Sequence, residues 1–141
     1  MIFNTTYTNK EYSTKSIEAV GPTFSLINII KMAGVGSSRL IIEELSAKLQ
    51  PKNKTETAIN YGNIELRPQG VIIHFTNKLE RYSWVIPYYR LVTYNTQTFS
   101  IHANGHFIKF KKNKNYLNNK KFINKMIDLK NDFLNLDYYD S

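Results

Sequence analysis

A chain of 141 residues that is 42% hydrophobic, with ten tyrosines and eight phenylalanines, is long enough to bury one core and too apolar to stay disordered. It has no cysteine, which excludes disulfides, thiolate nucleophiles, cysteine-ligated zinc and iron–sulfur clusters. Its formal charge of +8 sets fifteen lysines and only four arginines against eleven acids; arginine is the preferred residue for bidentate phosphate and base contacts, so its scarcity argues against a dedicated nucleic-acid reader.

The first residues, Met1 to Thr8, have neither a basic start nor a continuous apolar stretch. The longest apolar window, Phe24 to Gly34, is interrupted by Asn28 and Lys31 and falls far short of the roughly 20 residues that span a bilayer. A cytoplasmic protein without a transmembrane segment is expected. Phe24–Met32, set between Gly21-Pro22 and Gly34-Val35-Gly36, fits a short helix or a strand equally well. The clearest pattern in the first third is helical: Ile41, Leu45 and Leu49 fall at i, i+4 and i+8, with Ile42 widening the stripe. Ser37 or Ser38 would cap this helix near 38–49 and Pro51 would stop it. Residues 1–58 therefore read as a helical N-terminal extension ending in a polar linker, 52–57. The apolar stripe needs cover, either from the chain's own sheet or from a second copy.

Residues 59–141 read as short antiparallel strands followed by a helix. Ile64–Arg67 runs into Arg67-Pro68-Gln69-Gly70, a good type I turn with proline at its second position. Val71–Phe75 then returns through 76–79 into Glu80–Ile86. Any even-length loop there puts Val71, Ile73, Tyr82, Trp84 and Ile86 on one face and Ile72, His74, Arg81 and Ser83 on the other. Pro87 cannot donate to a ladder and ends the strand or sits at an edge. Leu91–Tyr94 is a further strand.

Phe99 to Phe110 specifies a hairpin. Asn104-Gly105 between two alternating stretches is the signature of a two-residue turn with positive φ at both positions. That register pairs Ala103 with His106, Ile101 with Ile108 and Phe99 with Phe110 on a core face. His102/Phe107, Ser100/Lys109 and Thr98/Lys111 share a wet, basic face. The last element is an amphipathic helix from about Asn119, with Phe122, Met126, Leu129, Phe133 and Leu136 spaced 4-3-4-3 and capped by Asn118 or Asn119. Lysines in its first turn and aspartates toward its end oppose the macrodipole, so packing must hold it.

No motif names a chemistry, and no catalytic residue, metal site or cofactor is assigned. The acids expected within the sheet are Glu65 and Glu80, and every aspartate lies at or after Asp128. His102 and His106 bracket the hairpin turn on opposite faces and cannot chelate one ion together. His74 and His102 share the polar face, at a separation set by strand order. Gly34-Val35-Gly36-Ser37-Ser38 ahead of a helix could form a phosphate nest, but it lacks the lysine and spacing of a P-loop. Positive charge is concentrated between Lys109 and Lys125, with seven lysines and no acid. Lys109, Lys111, Lys112, Lys114, Lys120 and Lys121, with His102 and Phe107 beside them, form a candidate patch for nucleic acid or an anionic lipid surface. Tyr88 and Tyr89, after Pro87, are candidate exposed contacts for a protein partner or for self-association.

About six antiparallel strands closed by one long C-terminal helix resembles the pleckstrin-homology-like (PH-like) superfold, particularly its small bacterial members. The residues that carry the resemblance are Gly70-Val-Ile-Ile-His-Phe75, Trp84-Val-Ile-Pro87-Tyr-Tyr-Arg-Leu91, and the hairpin and helix to Phe133. It covers roughly residues 60–136. It implies an α+β fold, an antiparallel sheet or partial barrel plugged by the helix, and a non-catalytic module that binds a peptide, a partner domain or an anionic headgroup. Relatives that bind phosphoinositides use a basic loop between their first two strands; the corresponding turn here offers only Arg67. The expected function is protein–protein binding or assembly, with weak electrostatic binding of nucleic acid or membrane as the alternative.

Overall fold

A computed structural model of the chain describes residues 1–49, 60–77 and 79–135, without the side chains of Lys48 and Asn77. The elements in chain order are β1 (Ile2–Asn4), α1 (Lys10–Val20), α2 (Leu26–Lys31), β2 (Leu40–Leu45), β3 (Tyr61–Arg67), β4 (Gly70–Asn77), β5 (Glu80–Pro87), β6 (Val92–Asn95), β7 (Thr98–Ala103), β8 (His106–Lys111), α3 (Lys114–Asn118) and α4 (Lys120–Leu134). The strands form one open antiparallel sheet in the order β1-β5-β4-β3-β2-β8-β7-β6. The class is α+β.

The local signals act as expected from β3 onward. Pro68 and Gln69 close a two-residue connection between paired Arg67 and Gly70. The β4–β5 register sets Val71 opposite Ile86, Ile73 opposite Trp84 and His74 opposite Ser83. Asn104 and Gly105 take φ of 51° and 80°, and the β7–β8 ladder has the pairs that this turn dictates, from Ala103–His106 to Thr98–Lys111. Inward residues of β3–β5 and of β7–β8 belong to one core with Trp84, Phe99 and Phe110 fully buried, and Ile123 and Met126 of α4 complete it. We call the side facing this core inner and the opposite side outer.

The first third corrects the sequence reading. The predicted helix over 38–49 is strand β2 followed by a 3-10 turn, Ala47–Leu49. Leu40 and Ile41 pair with β3, and Ile42, Glu44 and Leu45 pair with β8 across a bulge between Ile42 and Glu44. A bulge inserts one residue into the two-residue alternation. Inward positions then fall at Leu40, Ile42 and Leu45, a spacing that imitates helical periodicity. Its apolar side chains are therefore covered by the chain's own sheet. Pro51, the linker 52–57 and the boundary near 58 lie outside the described residues. Glu43 and Glu44 join Glu65 and Glu80 as acids of the sheet. Since β2 follows Gly36 through Ser38, no helix N-terminus stands behind the proposed nest; Gly36 forms a bridge with Glu65 instead.

Phe24–Met32 resolves as helix α2, capped by Ser25, whose hydroxyl accepts from the Asn28 amide. Its C-terminal carbonyls are closed by Lys125 Nζ, which donates to Met32 O (2.6 Å) and Gly34 O (2.9 Å). Asn119 stands at the N-cap of α4 but makes no capping bond. Its side chain instead accepts from Ser38 N and Oγ (3.0 Å each) and donates to Ser38 O and Asn115 O, tying α4 to the entry of β2. Helix α1, which carries no strong periodicity, lies on the outer face over β4 and β5. There Val20 packs with Ile72 and Val85 in a second, smaller core bordered by Phe3, Tyr12 and Ala19. Among the described residues no helix is long and apolar enough to cross a membrane.

Candidate functional site

Among the described residues, the outer face of β3–β5 carries the most connected side-chain hydrogen-bond network. Strand alternation brings Glu65, His74 and Ser83 out on three neighbouring strands. His74 Nε2 lies 2.8 Å from Glu65 Oε1, and Nδ1 lies 2.7 Å from Ser83 Oγ. Ser83 Oγ is in turn 2.8 Å from Thr5 Oγ1. On the far side, Arg67 donates from Nε to Glu65 Oε2 (2.5 Å) and from a terminal nitrogen to Gly21 O (2.8 Å). With a neutral imidazole the donors run from Thr5 to Ser83 to His74 to Glu65, and Arg67 closes the chain. Burial would raise the Glu65 carboxyl, but the hydrogen bonds from His74 and Arg67, with the Arg67 charge, hold it below its ordinary value. Burial, aided by the Glu65 charge, pushes the Tyr12 phenol up.

A serine, a histidine and an acid in hydrogen-bonded sequence make up the composition of a hydrolytic triad. Geometry removes that use of Ser83. Its side chain has 0% exposure, and no reacting carbonyl reaches its hydroxyl. The group works as a buried polar bridge between the sheet, β1 and the end of α1.

Beside this network the same face opens into a depression of about 540 Å³, lined by Arg39, Tyr61, Asn63, His74, Thr76 and Arg81, with Ser37 and Ser38 at its rim. Both nitrogens of His74 are engaged, so the imidazole is a fixed wall. The Arg39 guanidinium lies 5.3 Å from the centre of the Tyr61 ring. Parity arithmetic across the even-length connections between β3 and β4 and between β4 and β5 places Glu65, His74, Ser83 and Arg81 on one face, a signal available in the sequence. Arg39 joins them through the pairing of β2, which only the tertiary fold supplies.

The basic patch nominated from sequence is brought together only in part. His102 and Phe107 stack (5.4 Å between centres), Tyr94 meets the His102 edge-on (4.8 Å), and Lys109 Nζ lies 5.3 Å over Phe107. Lys109 is also paired with Glu44 at 3.1 Å, and Lys112 donates to Thr96 O and lies over Tyr116. Burial and the Lys109 charge lower the His102 pKa. Lys111, Lys114, Lys120 and Lys121 are exposed. His74 and His102 stand on β4 and β7 with three strands between them, and among the described residues no cluster of metal-ligating side chains occurs.

Tyr88 is not a surface contact. It is buried in the main core, its hydroxyl donates to Arg67 O (3.3 Å), and its ring packs on Phe133 (5.6 Å). The 3-10 turn Tyr88–Arg90 rotates only Tyr89 outward, where Arg90 lies 5.3 Å over its ring. The apolar window at Phe24–Met32 forms α2 and leaves Leu26, Ile27 and Ile30 exposed. Comparison with known proteins finds no matching family model, no similar curated protein and no similar solved structure.

Proposed function

We propose that this chain is a non-catalytic, PH-like interaction module whose partner is a protein. The observation that carries the reading is the bare aliphatic side of α2: Leu26, Ile27 and Ile30 are 74%, 66% and 71% exposed on one short helix. Three large aliphatic side chains held in water on one helix mark an interaction surface more often than a solvated one. Tyr89 and Tyr94 supply further exposed aromatic area of the kind found in protein contacts. The PH-like assignment is supported by the order of elements: four strands β2–β5, three strands β6–β8, then a helix whose apolar stripe enters the core. The closed burial of Ser83 supports a role without catalysis.

The test is capture from an extract of the source cells with the wild type and Ile27→Asp, followed by titration of the purified captured protein. Tight binding that Ile27→Asp weakens by roughly tenfold or more supports the reading. A wild type that captures nothing beyond what Ile27→Asp captures refutes it. A second reading, weak binding of nucleic acid or an anionic membrane, is favoured by the exposed lysines Lys111, Lys114, Lys120 and Lys121. It requires retention on heparin that is lost by about 0.2–0.3 M salt and abolished by charge reversal at those four positions.

A further inference from the structure

We propose that the outer-face cleft beside His74 is a binding subsite for a phosphomonoester, a site independent of the α2 surface. Arginine use points to it first. Only four of the nineteen basic residues are arginine, yet two of those four, Arg39 and Arg81, line this cleft, and among the described residues no lysine does. Arginine differs from lysine in presenting a planar fork of donors that matches phosphate oxygens.

Arg39 lies over the Tyr61 ring, and neither guanidinium is held by an ion pair among the described residues. Among the described residues Arg39 and Arg81 have no carboxylate partner, whereas Arg67 is pinned to Glu65 and Arg90 donates to Asn104. Both oxygens of Glu65, beside His74, are occupied by Arg67 and His74. Among the described residues no carboxylate lines the depression.

The backbone under each arginine is fixed by other elements. Arg81 N donates to Thr6 Oγ1 (2.8 Å), and Arg81 O accepts from Thr5 N (2.8 Å). Arg39 O accepts from Asn115 Nδ2 (3.2 Å), and the preceding Ser38 is held by Asn119. Two guanidiniums on anchored backbone line one cleft, so binding an anion there need order only their side chains. The Tyr61 hydroxyl and Asn63 amide add neutral donors, and the Tyr61 ring adds an apolar wall. At about 540 Å³ the cleft is within the range of small-molecule sites and larger than phosphate alone requires. It therefore fits an organic phosphomonoester, either a soluble metabolite or a lipid headgroup.

With four arginines, the Nε–Hε region of a ¹⁵N spectrum holds four signals, and Arg67 and Arg90 serve as internal controls. The experiment titrates the full chain with phenyl phosphate and with inorganic phosphate, against sodium chloride at matched ionic strength. Saturable shifts are expected at Arg39 and Arg81 and not at Arg90, with phenyl phosphate binding more tightly than inorganic phosphate. Arg39→Gln and Arg81→Gln should each weaken binding by roughly tenfold, while Arg90→Gln leaves it unchanged. Both cleft arginines are exposed, and unchanged amide spectra verify that the variants fold. Vesicles carrying phosphatidic acid form the second arm: retention that Arg39→Gln abolishes assigns the phosphomonoester to a lipid, and its absence assigns it to a soluble molecule. Shifts at Arg39 and Arg81 no larger than that at Arg90, or equal binding by Arg39→Gln and wild type, would overturn the proposal.

Discussion

Replacing Glu65 by Gln tests whether the polar chain on the outer face supports the fold. Glutamine keeps the size of the side chain and an acceptor for His74 Nε2, but it removes the charge facing Arg67. The Arg67 side chain is 7% exposed and that of Glu65 24%. Removing one partner of a fully buried pair costs about 3–5 kcal/mol, and a charged hydrogen bond contributes about 1.5–3 kcal/mol. Because water reaches part of Glu65, a loss of about 2–3 kcal/mol at neutral pH is expected, read as a lower urea midpoint with unchanged slope. The pH dependence follows from the sign of the shift. The Glu65 carboxyl is held below its ordinary value of 4.5 in the folded chain, so its contribution is full above that value and is lost as pH falls through the lower, folded one. The gap between wild type and Glu65→Gln should therefore close as the solution is acidified below about 4.5. A loss under about 0.5 kcal/mol, or a gap that stays constant down to pH 3, would refute the reasoning.

Three further outcomes are expected. In Gly70→Ala the new Cβ would lie 2.3 Å from Ile86 O and 2.5 Å from Val20 Cγ1; either the β4–β5 ladder or α1 must move, at about 2–3 kcal/mol in urea unfolding, while Gly36→Ala, which meets open space, should change stability by less than about 0.5 kcal/mol. Asn119→Ala removes four hydrogen bonds at a site 3% exposed and should cost about 2–3 kcal/mol, with faster hydrogen exchange at the Ser38 amide; unchanged exchange would show that Asn119 does not hold β2 to α4. Gly105→Ala places a methyl on a residue at φ +80° with open space around it, so about 1 kcal/mol of backbone strain should appear as a lower melting temperature without a change in the Phe99–Phe110 register, checked by cross-strand proton contacts.

The elements legible in the sequence are those whose partners are neighbours in the chain. The hairpin at Asn104-Gly105 and the β3–β4–β5 meander have short connections, so turn chemistry and two-residue alternation together assign partner and face. That arithmetic extends to the outer-face cluster, since a two-residue turn at Pro68-Gln69 sets Glu65 opposite Ile72 and on the face of His74. Helix α1 gave no such signal, because its inward stripe of Tyr12, Ser16 and Ala19–Val20 includes a buried serine that breaks the hydrophobic period. β2 gave a false one, because its bulge shifted the alternation toward a helical spacing.

The sequence by itself determined the inner face of β4, β5, β7 and β8, the amphipathic C-terminal helix and the absence of thiol chemistry, all consequences of local periodicity and composition. The tertiary structure decided what depends on pairing between distant segments. β2 became a strand because β3 and β8 both offered it a ladder, with its hydrogen bonds and cover for its apolar side chains. Of two adjacent tyrosines, Tyr88 went inward because the 3-10 turn aims it at Phe133 of α4, leaving Tyr89 in water. Arg39 and Arg81, 42 positions apart, came to line one cleft because the chain entering β2 runs beside β3, a proximity that no local preference encodes.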